Sequence, residues 1–359
     1  MTVTIRRIAV NTGGGDAPGL NAVIRAVALA GLRRGWEVFG IRNGYLGLFR
    51  EDGLIRLDAD RVEGITNTGG TILGANNRGN PFRLVTEHGI IEDGSTRLVE
   101  RFSELGLDAL IAIGGDGSLS IVKQLYDRYQ FPVVGVPKTI DNDLDATEYT
   151  FGFDTAVSTA TDALDKLHPT AQSHDRVMVV EVMGRNAGWI ALHAGIAGTA
   201  DVILLPEIPF TMESVCRKIE EREKAGRHSS IVVVAEGAVL PGGHIIARQQ
   251  EAGRNVLLGG IAEQVAAEIT KLTGKETRHL VLGHLQRGGQ PTAFDRLLSL
   301  RFGAAAVRLV AAGDFGKMVA LTHGIRAVSL EEATNRMRRV PLDSDVLQTA
   351  RDLGICLGD

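Results

Sequence analysis

One arrangement recurs six times in this chain and restricts its fold more than any other feature. A short apolar run leads into a polar loop, usually with glycine, and then into a helical stretch. The loops begin at Asn11, Gly114, Pro137, Met183, Glu236 and Gly283. Runs such as Leu107–Ile113 (LDALIAI), Phe131–Val136 (FPVVGV), Arg176–Val182 (RVMVVEV) and Ser230–Ala235 read as buried strands. Strands alternating with helices build parallel sheets with helices on both faces. A chain of 359 residues has room for two such α/β domains, with the first crossover expected near Phe151.

Ligands in open parallel sheets bind beyond the carboxyl ends of the strands, where every polar cluster of this chain sits. After the strand Ile5–Val10 comes Asn11-Thr12-Gly13-Gly14-Gly15-Asp16, and then an amphipathic helix from Leu20 to Arg34 with Gly35 as its expected C-cap. Free amides and a helix dipole make such a turn a phosphate cradle. A tight turn with Asp16 as N-cap accounts for the same residues. The loop Gly114-Gly115-Asp116-Gly117-Ser118 lets backbone approach a polyphosphate, and Asp116 suits Mg²⁺. The loop Pro137-Lys138-Thr139-Ile140-Asp141-Asn142-Asp143 puts two carboxylates within three residues. They suit general base work or a metal, and equally an ordinary capped turn. Gly64–Arg83 reads as a loop in which Arg78, beside Gly79, reaches a phosphate or simply lies in solvent. A helix is expected from Asp154 to about Leu167, stopped by His168-Pro169, with further helices at Ser214–Lys224, Gly260–Leu272, Phe294–Ala312 and Leu330–Arg338. His279 and His284 lie five apart on what reads as one strand, and so on opposite faces, which argues against a metal pair.

A net charge of −4 excludes a global basic footprint for nucleic acid, so anionic ligands need local cationic pockets. The 44 glycines exceed the average of about 7% and fit close backbone approaches. Cys216 and Cys356 form no metal spacing or disulfide framework, as expected in a reducing cytoplasm. The start MTVTIRRIAVN has no signal-peptide core, and no apolar run approaches a membrane span.

Taken in order, the loops resemble those of the 6-phosphofructokinase family, in the branch that mixes ATP users with pyrophosphate users. The matching motifs are G-G-D-A-P-G-L-N, G-G-T-I-L-G, G-G-D-G-S, P-K-T-I-D-N-D, V-E-V-M-G-R-N-A-G and E-T-R-H-L-V-L-G-H-L-Q-R-G-G, running from Gly14 to Gly289. The resemblance implies two Rossmann-like three-layer α/β domains with the active site in the cleft between them. Residues 1–151 with 285–330 would bind the donor, and 152–284 with 331–359 the sugar phosphate. It implies phosphorylation of fructose 6-phosphate with ATP and Mg²⁺. Asp141 would be the base, with Thr139, Ile140 and Asp143 aligning the reactants and Arg185 offsetting charge on the migrating group. Gly14, Gly15, Arg78, Gly79 and Gly115–Ser118 would cradle the donor, with Asp116 on the metal. Met183, Gly184 and Glu236 would hold the sugar. His284, Leu285, Gln286 and Arg287 would bind at the 6-phosphate, joined by Arg176 and Arg278 of a neighbouring subunit in a homodimer or homotetramer.

The donor rests on Gly117 and Lys138. Pyrophosphate users of the family carry aspartate at the first position and lysine at the second, and ATP users carry glycine at the first. Glycine leaves a path for the α-phosphate, which makes ATP the expected donor and pyrophosphate the alternative. Arg25 matches an effector-binding arginine, whereas Leu29 and His168 stand where arginine is expected, which weakens the case for nucleotide control. G-G-D-G also occurs in NAD and lipid kinases, but the P-K-T-I-D-N-D and H-L-Q-R-G-G loops argue against those. The presence of both Asp116 and Asp141 argues against a non-catalytic sensor.

Overall fold

The computed structural model describes residues 5–76, 79–85, 91–240, 247–249 and 257–359. Two units emerge. The first comprises Met1–Thr139, Leu144–Gly152 and Arg287–Met337, and the second Ile140–Asp143, Phe153–Gln286 and Arg338–Asp359. The expected divisions at 151, 285 and 330 thus differ in detail. Residues 140–143 belong with the second unit, and 331–337 stay with the first because α9 (Leu330–Thr334) packs on α3 (Asp116–Tyr129).

The first unit opens with β1 (Arg7–Thr12), α1 (Leu20–Leu32), β2 (Glu37–Ile41), β3 (Leu54–Arg56) and the short pair β4 (Leu84–Val85) and β5 (Ile91–Glu92). It continues through α2 (Ser95–Glu104), β6 (Ala109–Gly114), α3 and β7 (Val133–Pro137). It is completed by α8 (Ala293–Ala312), β14 (Lys317–Thr322), β15 (Gly324–Ser329) and α9. Its seven-stranded sheet has the order β15-β14-β7-β6-β1-β2-β3, parallel except at its two outermost pairs. Alternate residues of each central strand feed opposite faces. Ile8, Val10, Ile111, Ile113, Val134 and Val136 pack with α1 and α8 in one cluster, while Ala9, Leu110, Ala112 and Val133 pack with α3 in the other. Each of these larger side chains stabilises the unit by roughly 1.5–3 kcal/mol when fully buried. The strand order reverses between β1 and β6, so their exit loops, Gly13–Gly15 and Gly115–Ser118, flank the switch point.

The second unit holds α4 (Phe153–Ser173), β8 (Val177–Val182), α5 (Trp189–Ala197), β9 (Val202–Leu204), α6 (Met212–Lys224) and β10 (Ser230–Ala235). The strands β11 (Ala247–Gln249) and β12 (Leu257–Leu258), α7 (Ile261–Thr273), β13 (Thr277–Val281) and α10 (Asp345–Asp352) follow. Its main sheet is wholly parallel, in the order β13-β8-β10-β9.

Four expectations need correction. Helix α4 does not stop at His168-Pro169 but runs on to Ser173, because buried Ala171 and a 2.8 Å bond between His168 Nε2 and the Gly198 carbonyl hold the last turn. Gly35 lies beyond the cap of α1, which is Arg33, and its N–H bonds the Leu32 carbonyl at 2.9 Å. The tail carries an antiparallel hairpin, β14 with β15, where the run Val319–Leu321 (VAL) by itself suggests a single weak strand. The helix expected through Arg338 ends at Thr334, and the segment after it pairs instead with the loop that follows β7. Among the described residues no helix is long and apolar enough to cross a membrane.

Candidate active site

In the first unit the glycine loops of β1 and β6 close on one another. The Gly13 N–H donates to the Ile113 carbonyl at 2.8 Å. A Cβ added to Gly13 would lie 2.7 Å from Ser118 Oγ, and one on Gly114 would lie 2.2 Å from Ser118 Cβ, so only glycine admits Ser118 there. Helix α1 begins after Gly19, whose φ is 109°, which removes Asp16 as its N-cap. Gly115 caps α3, Asp116 opens its first turn, and a Cβ on Gly117 would meet none of the described residues within 4 Å. Lys138 is 5% exposed, and its ammonium group donates to the Gly15 carbonyl. The guanidinium of Arg287 lies against Gly15, with Nη1 only 2.2 Å from where a Cβ would stand, and its buried Nε has no hydrogen-bond partner among the described residues.

The loop around Gly69–Gly74 joins this cluster through residues that do not stand out in the sequence. Asn21 Nδ2 donates to the Thr68 and Gly69 carbonyls at 3.2 Å, and its Oδ1 accepts the Ile72 N–H at 2.9 Å. Thr12 Oγ1 donates to the Gly74 carbonyl at 2.8 Å. The one available signal was an asparagine inside the apolar stripe of α1, where a buried amide must find partners. Gly69 also abuts the Gly289 carbonyl, bringing the Arg287-Gly288-Gly289 loop alongside. Buried Gly79 packs on Leu46, whereas Arg78 lies outside the described residues. Asn11, at the end of β1, hydrogen-bonds the Tyr45 hydroxyl, whose pKa burial pushes well above the ordinary 10.0.

In the second unit Asp141 and Asp143 are 5% and 8% exposed, on either side of Asn142 with φ 51°. Thr139, just before them in the first unit, is buried, and its carbonyl accepts the Thr150 hydroxyl at 2.7 Å. The ends of β8, β10 and β13 meet. The Arg185 N–H donates to Glu236 Oε1 at 3.0 Å, and the Met183 N–H to Gln286 Oε1 at 3.3 Å. Gly184 and Arg185 adopt φ values of 137° and 50°, a turn that favours glycine at the first position. Gln286 is fully buried and also donates to the Gly283 carbonyl at 3.1 Å, so it supports the loop from within. His284 and Leu285 are exposed. Strand β13 ends at Val281 and His284 sits in the 3-10 turn Gly283–Arg287, so the two histidines do not share a strand as expected. Arg176 and Arg278 both reach Glu276, at 2.8 and 2.6 Å, and the bond from Arg176 holds that carboxyl below its ordinary pKa.

Gly237 follows Glu236, and a Cβ there would fall 1.7 Å from the Arg185 carbonyl. Backbone meets backbone, so nothing small can yield. Gly237→Ala should therefore cost about 3 kcal/mol and displace Arg185. Chemical denaturation checks this, and an unchanged midpoint would refute the contact.

Magnesium takes carboxylate oxygen together with water and phosphate oxygens. The donor type and exposure of Asp116 fit that role, and no group of three or more His, Cys, Asp or Glu side chains able to hold a metal occurs among the described residues.

A family model described as "Phosphofructokinase" matches residues 7–310. The chain is 52% identical over 355 residues to a protein named "ATP-dependent 6-phosphofructokinase" from Chloroflexus aggregans, covering 99% of this chain and 98% of that one. It is 54% identical over 340 residues to one named "Pyrophosphate--fructose 6-phosphate 1-phosphotransferase" from Amycolatopsis methanolica, covering 93% and 96%. Among solved structures, phosphofructokinase from Saccharomyces cerevisiae superposes with a TM-score of 0.77 at 29% identity over 98% of this chain. This chain spans 47%, about half, of that yeast chain.

Proposed function

The chain belongs to the phosphofructokinase family, and on that footing we propose that it transfers the terminal phosphoryl group of ATP to the 1-hydroxyl of fructose 6-phosphate. The products are fructose 1,6-bisphosphate and ADP. The observation that carries this reading is the pair of buried carboxylates, Asp141 and Asp143, on the loop whose Lys138 is tied to the glycine cradle. Asp141 takes the hydroxyl proton as the oxygen attacks, and Thr139, Ile140 and Asp143 align the reactants. Phosphoryl transfer asks little of its base, so positioning and charge stabilisation supply most of the rate. Gly14, Gly15, Arg78, Gly79 and Gly115–Ser118 hold the donor phosphates, and Arg185 offsets charge on the migrating group. Mg²⁺, held through Asp116 and the donor, would supply charge neutralisation between the phosphates. Met183, Gly184 and Glu236 hold the sugar. His284, Leu285 and Arg287 serve its 6-phosphate on a loop that Gln286 supports through the Met183 and Gly283 backbone, with Arg176 and Arg278 supplied by a second copy in a homodimer or homotetramer. The two free cysteines fit a cytoplasmic setting.

Open space beside Gly117 among the described residues supports ATP as donor. Lys138 favours pyrophosphate as the second reading, but its ammonium group is engaged by the Gly15 carbonyl. An aldolase-coupled assay offering each donor separately decides. Turnover with ATP and little with pyrophosphate is expected. Turnover with pyrophosphate alone overturns the donor, and turnover with neither overturns the function.

A further inference from the structure

The segment after α9, Asn335-Arg336-Met337-Arg338-Arg339-Val340, carries three arginines and, up to Arg338, reads as helix in sequence. In the structure it runs antiparallel to the carboxylate loop. The Arg338 N–H donates to the Asp143 carbonyl at 2.9 Å, and Arg338 Nη1 donates to the Asn142 carbonyl at 3.3 Å. Within the first unit the pairing continues, with a bridge between Leu144 and Met337 and an ion pair at 2.5 Å between Arg336 and Asp145.

Arg338 is itself gripped at both ends. Its guanidinium stacks 4.2 Å from the Trp189 ring centroid, and its carbonyl accepts the Trp189 indole N–H at 3.2 Å. Trp189 is 6% exposed and begins α5, directly after the loop that carries Arg185. Glu207 then ties the same parts together. Its Oε1 accepts the Gly188 N–H at 2.9 Å and the Val340 N–H at 3.0 Å. One carboxylate thus joins the start of α5 to the segment that carries Arg338. A carboxylate suits that place, because it meets the positive end of the helix.

We propose that residues 336–340 form a splint that fixes the Asp141 loop and the Arg185 loop in one register, with Arg338 as its positioning residue. This rests on the reading of Asp141 as the base and Arg185 as the charge-offsetting group. Arg338 touches no reacting atom in this account and acts through the carbonyls of residues 142 and 143. Its guanidinium performs two tasks that lysine performs poorly, planar stacking and directed donation.

Arg338→Met tests the splint. Its backbone N–H survives, while stacking and the bond to Asn142 are lost. We expect kcat to fall about tenfold or more with KM for fructose 6-phosphate within about twofold, since small misplacement near a reacting group costs rate before affinity. Arg338→Lys should recover only part of the loss. Amide exchange supplies a second readout that does not depend on activity. The N–H groups of residues 338 and 340 should exchange faster in Arg338→Met than in the parent, while the strands of the second unit keep their protection. Parent-like kcat with parent-like exchange overturns the proposal, as does acceleration spread evenly over the whole second unit. If Arg338→Met fails to fold, Trp189→Phe removes the indole donor and keeps a ring for stacking, with the same expectations on a smaller scale. If the parent moves phosphate from neither donor, the functional reading fails, and the exchange comparison alone decides the splint.

Discussion

Replacing Asp141 by asparagine should lower kcat by roughly 10³-fold, within the range expected when a positioned general base is lost. Asparagine keeps the shape of the side chain and so disturbs packing little, which matters because Asp141 is 5% exposed in a tightly turned loop. The neighbouring backbone is held by other groups, since the Asp143 and Asn142 carbonyls accept from Arg338. The loop should therefore keep its form in the variant. Affinity for the sugar phosphate should stay close to the parent's, because most of the groups proposed to hold it lie outside this loop, on the loops after β8, β10 and β13 and on a second copy. Calorimetric titration with fructose 6-phosphate, beside steady-state kinetics, separates the two quantities. A variant within about tenfold of the parent kcat would remove Asp141 from the role of base, since a base contributes at least about 10²-fold.

Gly117→Asp should abolish most turnover with ATP. Space permits the side chain, since none of the described residues lies within 4 Å of the added Cβ. The first turn of a helix also tolerates a carboxylate well, so the variant should fold and melt like the parent. What changes is charge. A carboxylate about 4 Å from a phosphate oxygen costs about 4 kcal/mol at an effective dielectric of 20, which corresponds to about 10²- to 10³-fold in rate. Gly117→Ala adds bulk without charge and should keep most of the ATP activity. Normal ATP turnover in Gly117→Asp would refute the argument that glycine here keeps the nucleotide's path open.

Much of the fold was legible because its central strands are buried on both faces and read as near-continuous apolar runs. All six residues of β6 and of β10 are buried, and each run stands out against polar loops. β15 did not stand out, because GIRAVS is mostly half-exposed and owes its conformation to pairing with β14. Proline predicts a helix end at His168-Pro169 on local grounds. The turn beyond it survives through contacts with residues thirty positions away, which local reasoning cannot supply.

The candidate site divides in the same way. Gly13–Gly15, Asp116, Gly117, Asp141 and Asp143 announce themselves, since glycines and carboxylates at strand ends are costly unless used. The residues that hold them in place do not. Asn21, Thr12, Glu207 and Arg338 act on backbone groups 47 to 196 positions distant, and no spacing rule connects such pairs. Gln286 shows the opposite case, a residue expected at the ligand whose amide is spent on the Met183 and Gly283 backbone.

Phosphorus NMR of the parent enzyme with ATP, Mg²⁺ and fructose 6-phosphate puts the proposed reaction to the most direct test. The ATP γ resonance should disappear, matched by ADP and a new phosphate ester on carbon 1 of the sugar. ATP consumed only to inorganic phosphate, or left intact while the sugar stays a monophosphate, would contradict it.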